Sequence, residues 1–252
     1  MNRAAIITLA GTSSRFSASV GHECHKSLYR ETPTDTPLLD WQLDLLRRNR
    51  FDHVVLVGGY RFGEVQDHVR ARWSDSSVSL VFNEHYADWG SCHSLCLGID
   101  AVPAGVDTVA FLEGDLLFDE ATFAAMVASG GNAITAAPGI VDARTSVAFC
   151  ISSSGRLAYY YDTAHAELKI PNPFVQLGNS GQVWQFADLP RLKRCSGHCG
   201  IPERQGTNLV PIQDYYSGSG TSPPRVFSFR TWFNCNTVTD YRAMLNHMKL
   251  RK

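Results

Sequence analysis

The chain has 252 residues, 44% of them hydrophobic and 19% charged, which is enough apolar material for a large core and too little charge for a disordered chain. Lys and Arg number 23 against 24 Asp and Glu, a formal charge of −1 with no basic run, which excludes nucleic acid as the expected partner. Any phosphate chemistry is therefore expected to involve a small nucleotide.

The first element, Ala4–Leu9, is a continuous apolar run with β-branched residues, bounded by Gly11, and reads as a buried strand. It is too short for a signal-peptide core and lacks a small-residue cleavage site. No apolar run approaches the roughly 20 residues of a membrane span. The seven cysteines are odd in number and scattered, so they read as reduced thiols. The expected location is the cytoplasm, away from any membrane.

Pro37–Leu46 follows as an amphipathic helix with Pro near its first turn. Val54–Val57 is a second buried strand that stops at Gly58-Gly59, and Phe62–Trp73 a helix with a charged outer face. Val78–Phe82, Val109–Leu112 and Ala133–Ala137 continue the strands, with helices at Ser94–Ala101 and Asp119–Ala128 between them, Asp119 serving as N-cap. Strands alternating with helices predict an α/β fold: a mostly parallel, Rossmann-like sheet covered on both faces.

After Pro138 the pattern shortens to Val147–Ile151, Leu157–Tyr161 and Gln182–Phe186, with a Gly/Ser-rich stretch at Ser217–Ser222. A strand at Arg225–Phe229 and a helix at Asp240–Lys249 close the chain. The expected organisation is a nucleotide-binding portion over residues 1–140 and a smaller, β-rich acceptor-side portion over 141–252, within one compact domain.

The chemistry starts where the first strand ends. Leu9, Ala10, Gly11, Thr12, Ser13 and Ser14 form a small-residue loop whose backbone N–H groups can approach phosphates, and Arg15 adds a bidentate donor. Lys26 follows eleven residues later. The loop is neither a Walker A motif nor G-x-G-x-x-G, and by itself an ordinary strand-to-helix turn explains it equally well. Asp115, at the tip of the strand ending Leu112-Glu113-Gly114-Asp115, reads as a Mg²⁺ ligand or as a plain strand-end turn.

The motifs in series decide more. Thr8–Phe16 resembles the strand and L-A-A-G-x-G-S-R-F/L loop of the MobA-like and sugar-phosphate nucleotidyltransferases, especially the small cytidylyltransferases that act on phosphocholine. His25-Lys26-Ser27-Leu28 is similar to that family's P-K-x-L. Pro37-Leu38-Leu39 through Leu46, Val55 through Tyr60, Asn83 through Leu95, Leu112–Asp115 and Trp232 through Asp240 resemble its later motifs, in the family's order and over nearly the whole chain. Three positions depart from the pattern. Ser13 stands where a glycine is usual, at a backbone position that favours positive φ. His25 replaces the proline before the lysine, and Asn234 replaces the second metal-binding aspartate, keeping an oxygen ligand while removing its charge.

The resemblance implies a nucleotidyltransferase that couples CMP from CTP to a small phosphate- or phosphonate-bearing acceptor with release of pyrophosphate. It implies Mg²⁺ on Asp115 and Asn234, catalytic roles for Lys26 and Arg15, and nucleotide contacts from the loop together with Asn83, Ser91 and Ser94. Tyr161 and Trp184, with Tyr159 and Tyr160, offer an aromatic wall for the acceptor or else are strand aromatics of the core. Another NTP with a sugar-1-phosphate or cofactor acceptor is the neighbouring reading, and a catalytically silent nucleotide-binding module the reading from another class. A homodimer is compatible with the chain. Cys195, His198 and Cys199, with His22, Cys24 and His25, have zinc-ligand chemistry without paired C-x₂-C spacing, so unliganded loop residues are the default there.

Overall fold

The computed structural model describes residues 1–73, 77–144, 146–161, 166–170, 173–217 and 223–249; residues 218–222 of the Gly/Ser-rich stretch lie outside them. The main sheet is built on β1 (Arg3–Leu9), with β2 (His53–Gly58) on one side and β4 (Thr108–Glu113) on the other, both parallel to it. β3 (Val78–Phe82) extends the sheet beyond β2. Beyond β4 come β9 (Gln176–Phe186), β6 (Ala133–Ala137) and β10 (Arg225–Ser228), giving the order β10-β6-β9-β4-β1-β2-β3. Along this path β9 alone runs against its neighbours, so the sheet is mostly parallel, as the alternation of elements predicted. β7 (Ala148–Ile151) and β8 (Leu157–Tyr160) form an antiparallel extension on the outer part of β9. β5 (Leu116–Phe118) pairs separately with β11 (Trp232–Asn234).

Alternation along the strands divides the core into two layers. Ala4 and Ile6 of β1 join Val55, Val109, Phe111 and Trp184 in one buried cluster, closed by α4 (Ser91–Ala101), α6 (Leu189–Gly197) and α8 (Leu209–Ser217). Ala5, Ile7 and Leu9 join Leu56, Ala110 and Leu112 in the other, closed by α2 (Leu38–Arg48), α3 (Phe62–Arg72) and α5 (Glu120–Ala128). A third cluster packs α1 (Ser14–Val20) against α9 (Val238–Lys249) through Phe16, Tyr241 and Met244. No helix among the described residues is long and apolar enough to cross a membrane.

The C-terminal portion carries more helix than its sequence pattern predicted. α6, the short α7 (Ile201–Arg204) and α8 occupy 189–217, where no element was expected. α6 has Asp188 as N-cap, accepting from the Arg191 backbone N–H at 2.8 Å, and Pro in its first turn.

Candidate active site

Loops at the C-terminal ends of β1 and β4 build one continuous depression, the edge where open α/β sheets bind ligands. The two tips approach closely: a Cβ on Gly114 would fall 2.6 Å from the Thr8 carbonyl oxygen and 2.3 Å from a Leu9 methyl. Between them lies the turn that carries Lys26, a 3-10 segment at Lys26–Leu28. The buried His25 ring donates through Nε2 to the Leu9 carbonyl at 3.1 Å, and Ser27 Oγ donates to the Gly114 carbonyl at 2.8 Å. The turn is thus pinned to both strand ends, and Lys26 is delivered between them.

Lys26 Nζ sits 2.7 Å from Asp115 Oδ2, while Asp115 Oδ1 is buried with no hydrogen-bond partner among the described residues. Beside them Glu113 Oε1 accepts from Asn208 Nδ2 at 2.8 Å, and the Asn208 backbone N–H donates to Ser91 Oγ at 3.0 Å. Burial, with the Asp115 carboxylate next to it, pushes the Glu113 carboxyl up to about 7 despite the Asn208 bond. Burial also holds the His25 imidazole below its ordinary range, so it stays neutral beside the lysine.

β11 brings Asn234 to the same place. Asn234 lies opposite Leu116, and the Cys235 backbone N–H donates to the Asp115 carbonyl at 2.7 Å. Asn234 Oδ1 accepts from Asn236 Nδ2 at 2.8 Å, and Asn236 Oδ1 accepts from Arg15 Nη2 at 2.9 Å. A polar chain therefore runs from Arg15 on α1 to Asn234 on β11. The depression comprises a cleft of about 230 Å³ that includes Ser91, Glu113, Asp115 and Asn208, and one of about 200 Å³ along Gly11–Phe16. Gly11, Ser13 and Lys26 belong to both.

Leu9 and Ala10 are buried at the loop's root, and Gly11, Thr12, Ser14 and Arg15 are exposed along its rim. Ser13 has φ of 55°, so the position expected to favour positive φ does carry a side chain. Of the three residues outside the loop expected to contact the nucleotide, Ser91 lines the cleft. Asn83 and Ser94 do not: both are buried, Asn83 Nδ2 donates to Ser94 Oγ at 2.9 Å, and Asn83 Oδ1 accepts from the His85 N–H. They shape the turn between β3 and α4 from inside.

The aromatic wall is corrected. Trp184 is 1% exposed, stacks on Phe111 with centroids 5.2 Å apart, and donates through Nε1 to the buried Tyr159 hydroxyl at 2.7 Å. Both rings face the core because they occupy inward positions of their strands. Tyr161 is exposed, but it is not among the residues lining the clefts described above. A further depression of about 210 Å³ is lined by Asn234, Trp232, Asn179 and Gln182, and the Asn236–Asn234 hydrogen bond links it to the loop cleft. Asn179 Oδ1 and Gln182 Oε1 are buried there with no hydrogen-bond partner among the described residues.

The two suspected zinc segments also separate. His198 Nδ1 pairs with Asp214 at 3.0 Å, His25 is held by Leu9, and Cys199 groups with Cys92 and Cys96. Two further site residues, Glu113 and Asn236, lie within the Leu112–Asp115 and Trp232–Asp240 motifs, whose pattern assigns them no role. Asn208 carried no signal, since it comes from a segment without a motif.

The sequence model of the family described as "Domain of unknown function (DUF6564)" matches residues 22–248. A choline-phosphate cytidylyltransferase of Haemophilus influenzae is 33% identical over 96 residues, a segment covering 38% of this chain and 38% of that relative. The chain thus matches well under half the length of this curated relative. The CTP:phosphocholine cytidylyltransferase of Streptococcus pneumoniae superimposes with a TM-score of 0.70 at 16% identity, over 98% of this chain and 100% of its own. The inositol-1-phosphate CTP transferase of T. maritima gives 0.68 at 14%, over 95% and 91%. Identities this low establish a shared fold, and the resemblance read from the motifs, to nucleotidyltransferases on the cytidylyltransferase side, is borne out.

Proposed function

The chain belongs to the DUF6564 family, and we propose that it is a nucleotidyltransferase that joins CMP from CTP to a small phosphate- or phosphonate-bearing acceptor. The observation that carries this reading is the meeting of Lys26, Asp115 and the Gly11–Arg15 loop in one depression. Two cations and a carboxylate around a small-residue loop suit a metal-chelated triphosphate.

An acceptor oxygen attacks the α-phosphorus in line. As that P–O bond forms, the bond from the α-phosphorus to the bridging oxygen breaks, and pyrophosphate leaves with the electron pair. Lys26 offsets the charge that grows on the α-phosphate, Arg15 holds the outer phosphates, and the loop N–H groups orient them. No covalent enzyme intermediate is involved.

The unpartnered Asp115 Oδ1 and the Asn234 amide oxygen are hard ligands that fit Mg²⁺. Bound there, the ion supplies further charge neutralisation for the phosphates. Residues 1–140 then serve the nucleotide, and 141–252 serve the acceptor through the depression that Asn234 lines. The reaction is placed in the cytoplasm, and a homodimer would leave this chemistry unchanged.

The test is pyrophosphate release with each of the four NTPs, Mg²⁺ and a panel including phosphocholine, aminoalkyl phosphonates and sugar 1-phosphates. Turnover with CTP above the other NTPs, and with one acceptor above the rest, is the expected result. Preference for another NTP would overturn the base assignment, and CTP binding without turnover on any acceptor would make the protein a silent nucleotide-binding module.

A further inference from the structure

Cys92, Cys96 and Cys199 lie outside the chemistry described above, yet they converge. Cys92 and Cys96 are one turn apart on α4, with Sγ atoms 4.0 Å from each other, and Cys199 follows α6. All three sulfurs lie within 4.8 Å of one another and are buried, with Val210 packed against the group.

We infer that Cys92, Cys96 and Cys199 form a thiolate site for a thiophilic d¹⁰ cation, Zn²⁺ or Cu⁺, independent of the transferase reaction. A metal–sulfur bond of about 2.3 Å places three thiolates around one ion about 4.0 Å apart. The Cys92–Cys96 separation already has that value, and closing the widest pair by under an ångström needs a side-chain rotation and no backbone change. Three soft ligands and no carboxylate in the group disfavour Mg²⁺ and Ca²⁺.

Charge is provided for as well. Arg204 Nε donates to the Cys199 carbonyl at 3.0 Å, and its Nη1 contacts His93 Nδ1 at 3.1 Å, so a guanidinium stands beside the sulfurs. Each metal–sulfur bond that forms releases a thiol proton to solvent.

The site ties α4 to the segment carrying α7 at a point where the backbones already touch. The Cys92 N–H donates to the Gly206 carbonyl at 3.2 Å, and a Cβ on Gly90 would fall 1.8 Å from that same oxygen. A bound ion there is a structural clamp beneath Ser91 and Asn208.

The experiment uses full-length protein purified without chelator or metal-affinity resin. Zinc and copper are counted by mass spectrometry, and the metal-free protein is then titrated anaerobically with Zn²⁺, with Cu⁺, and with Co²⁺ as a coloured stand-in. One equivalent per chain is expected, with a sulfur-to-cobalt charge-transfer band that C96S and C199S abolish and C150S, at a buried cysteine outside the cluster, retains. The metal counted in the protein as purified identifies the resident cation. If the serine variants fail to fold, the wild-type stoichiometry, the band and a metal-dependent rise in Tm decide alone. Absence of any stoichiometric metal, a band indifferent to C96S and C199S, or a disulfide within the triad of the isolated protein overturns the assignment.

Discussion

Lys26 Nζ stands 2.7 Å from Asp115 Oδ2, a contact between residues 89 apart in the chain. It exists because β1 and β4 are parallel neighbours in register, with Thr8 beside Glu113, so the loops that follow both strands open on the same edge. Ser27 and His25 then fasten the lysine turn to each strand tip. The pair links the two groups that a magnesium-chelated triphosphate would draw apart, the cation toward phosphate and the carboxylate toward metal.

Replacing Lys26 therefore bears on both chemistry and folding. K26A is expected to reduce pyrophosphate release by about 100-fold or more, the scale on which removal of a transition-state charge partner acts. The side chains of the pair are only 19% and 17% exposed, so K26A leaves a largely buried carboxylate unpaired and should also cost about 3 kcal/mol of stability, a loss the turnover comparison must be corrected for. Parallel turnover and urea-unfolding measurements check both halves. Near-normal turnover in K26A would remove the lysine from the mechanism.

His25 predicts an acid-labile fold. Its imidazole is buried and neutral, with a folded pKa below the ordinary 6.5, because burial penalises the cation. Above pH 6.5 neither the folded nor the unfolded form is charged at this residue, and stability is independent of it. As the pH falls below 6.5 the unfolded chain takes up a proton that the folded chain refuses, and up to about 1.4 kcal/mol is lost per pH unit until the folded pKa is passed. H25Q keeps a donor for Leu9 and does not titrate. Its Tm should match the wild type near pH 8 and exceed it near pH 5, whereas parallel Tm curves across that range would exclude His25 as the cause.

Ser13 holds a left-handed conformation, φ 55°, that glycine adopts without a Cβ penalty. Its hydroxyl offers little in return, a 3.4 Å contact accepting from the Lys26 backbone N–H. S13G is expected to raise stability by about 1 kcal/mol, read as an upward shift of the urea midpoint at constant m. A fall in the midpoint would show that the hydroxyl contact outweighs the strain.

What the sequence disclosed follows from where each signal is strongest. β1, β2 and β4 are apolar on both faces because helices cover both, so continuous runs such as Ile6-Ile7 mark them plainly. α1 was hidden because Ser14, Ser17 and Ser19 are weak helix formers, and its N-cap is the strained Ser13. Only the last part of β9 was read as strand, since its first half, Gln176–Gly181, is polar and glycine-containing where it pairs with β7 at the rim. The lysine, arginine and strand-tip aspartate were legible as residue types at motif spacing. Asn208 was not, because what makes it a site residue is its contact with Glu113, 95 positions away. Trp184 misled because an aromatic on a strand reads the same whether it faces a ligand or Phe111.

Asn234 sets a last expectation, on metal affinity. Its amide oxygen accepts from Asn236, which in turn accepts from Arg15, so the side chain is held in that polar chain, on the strand whose next residue, Cys235, bonds the Asp115 carbonyl. An aspartate there would keep the acceptor for Asn236 and add a second negative ligand. N234D should lower the Mg²⁺ concentration for half-maximal turnover by about 3- to 10-fold, because ligand charge count tunes the affinity of hard-cation sites. In metal-free buffer the same substitution adds an uncompensated carboxylate to β11 and should lower Tm, with Mg²⁺ restoring it. If half-saturation by Mg²⁺ does not move and Mg²⁺ leaves the variant's Tm unchanged, residue 234 is not a metal ligand, and Asp115 must hold the ion with other partners.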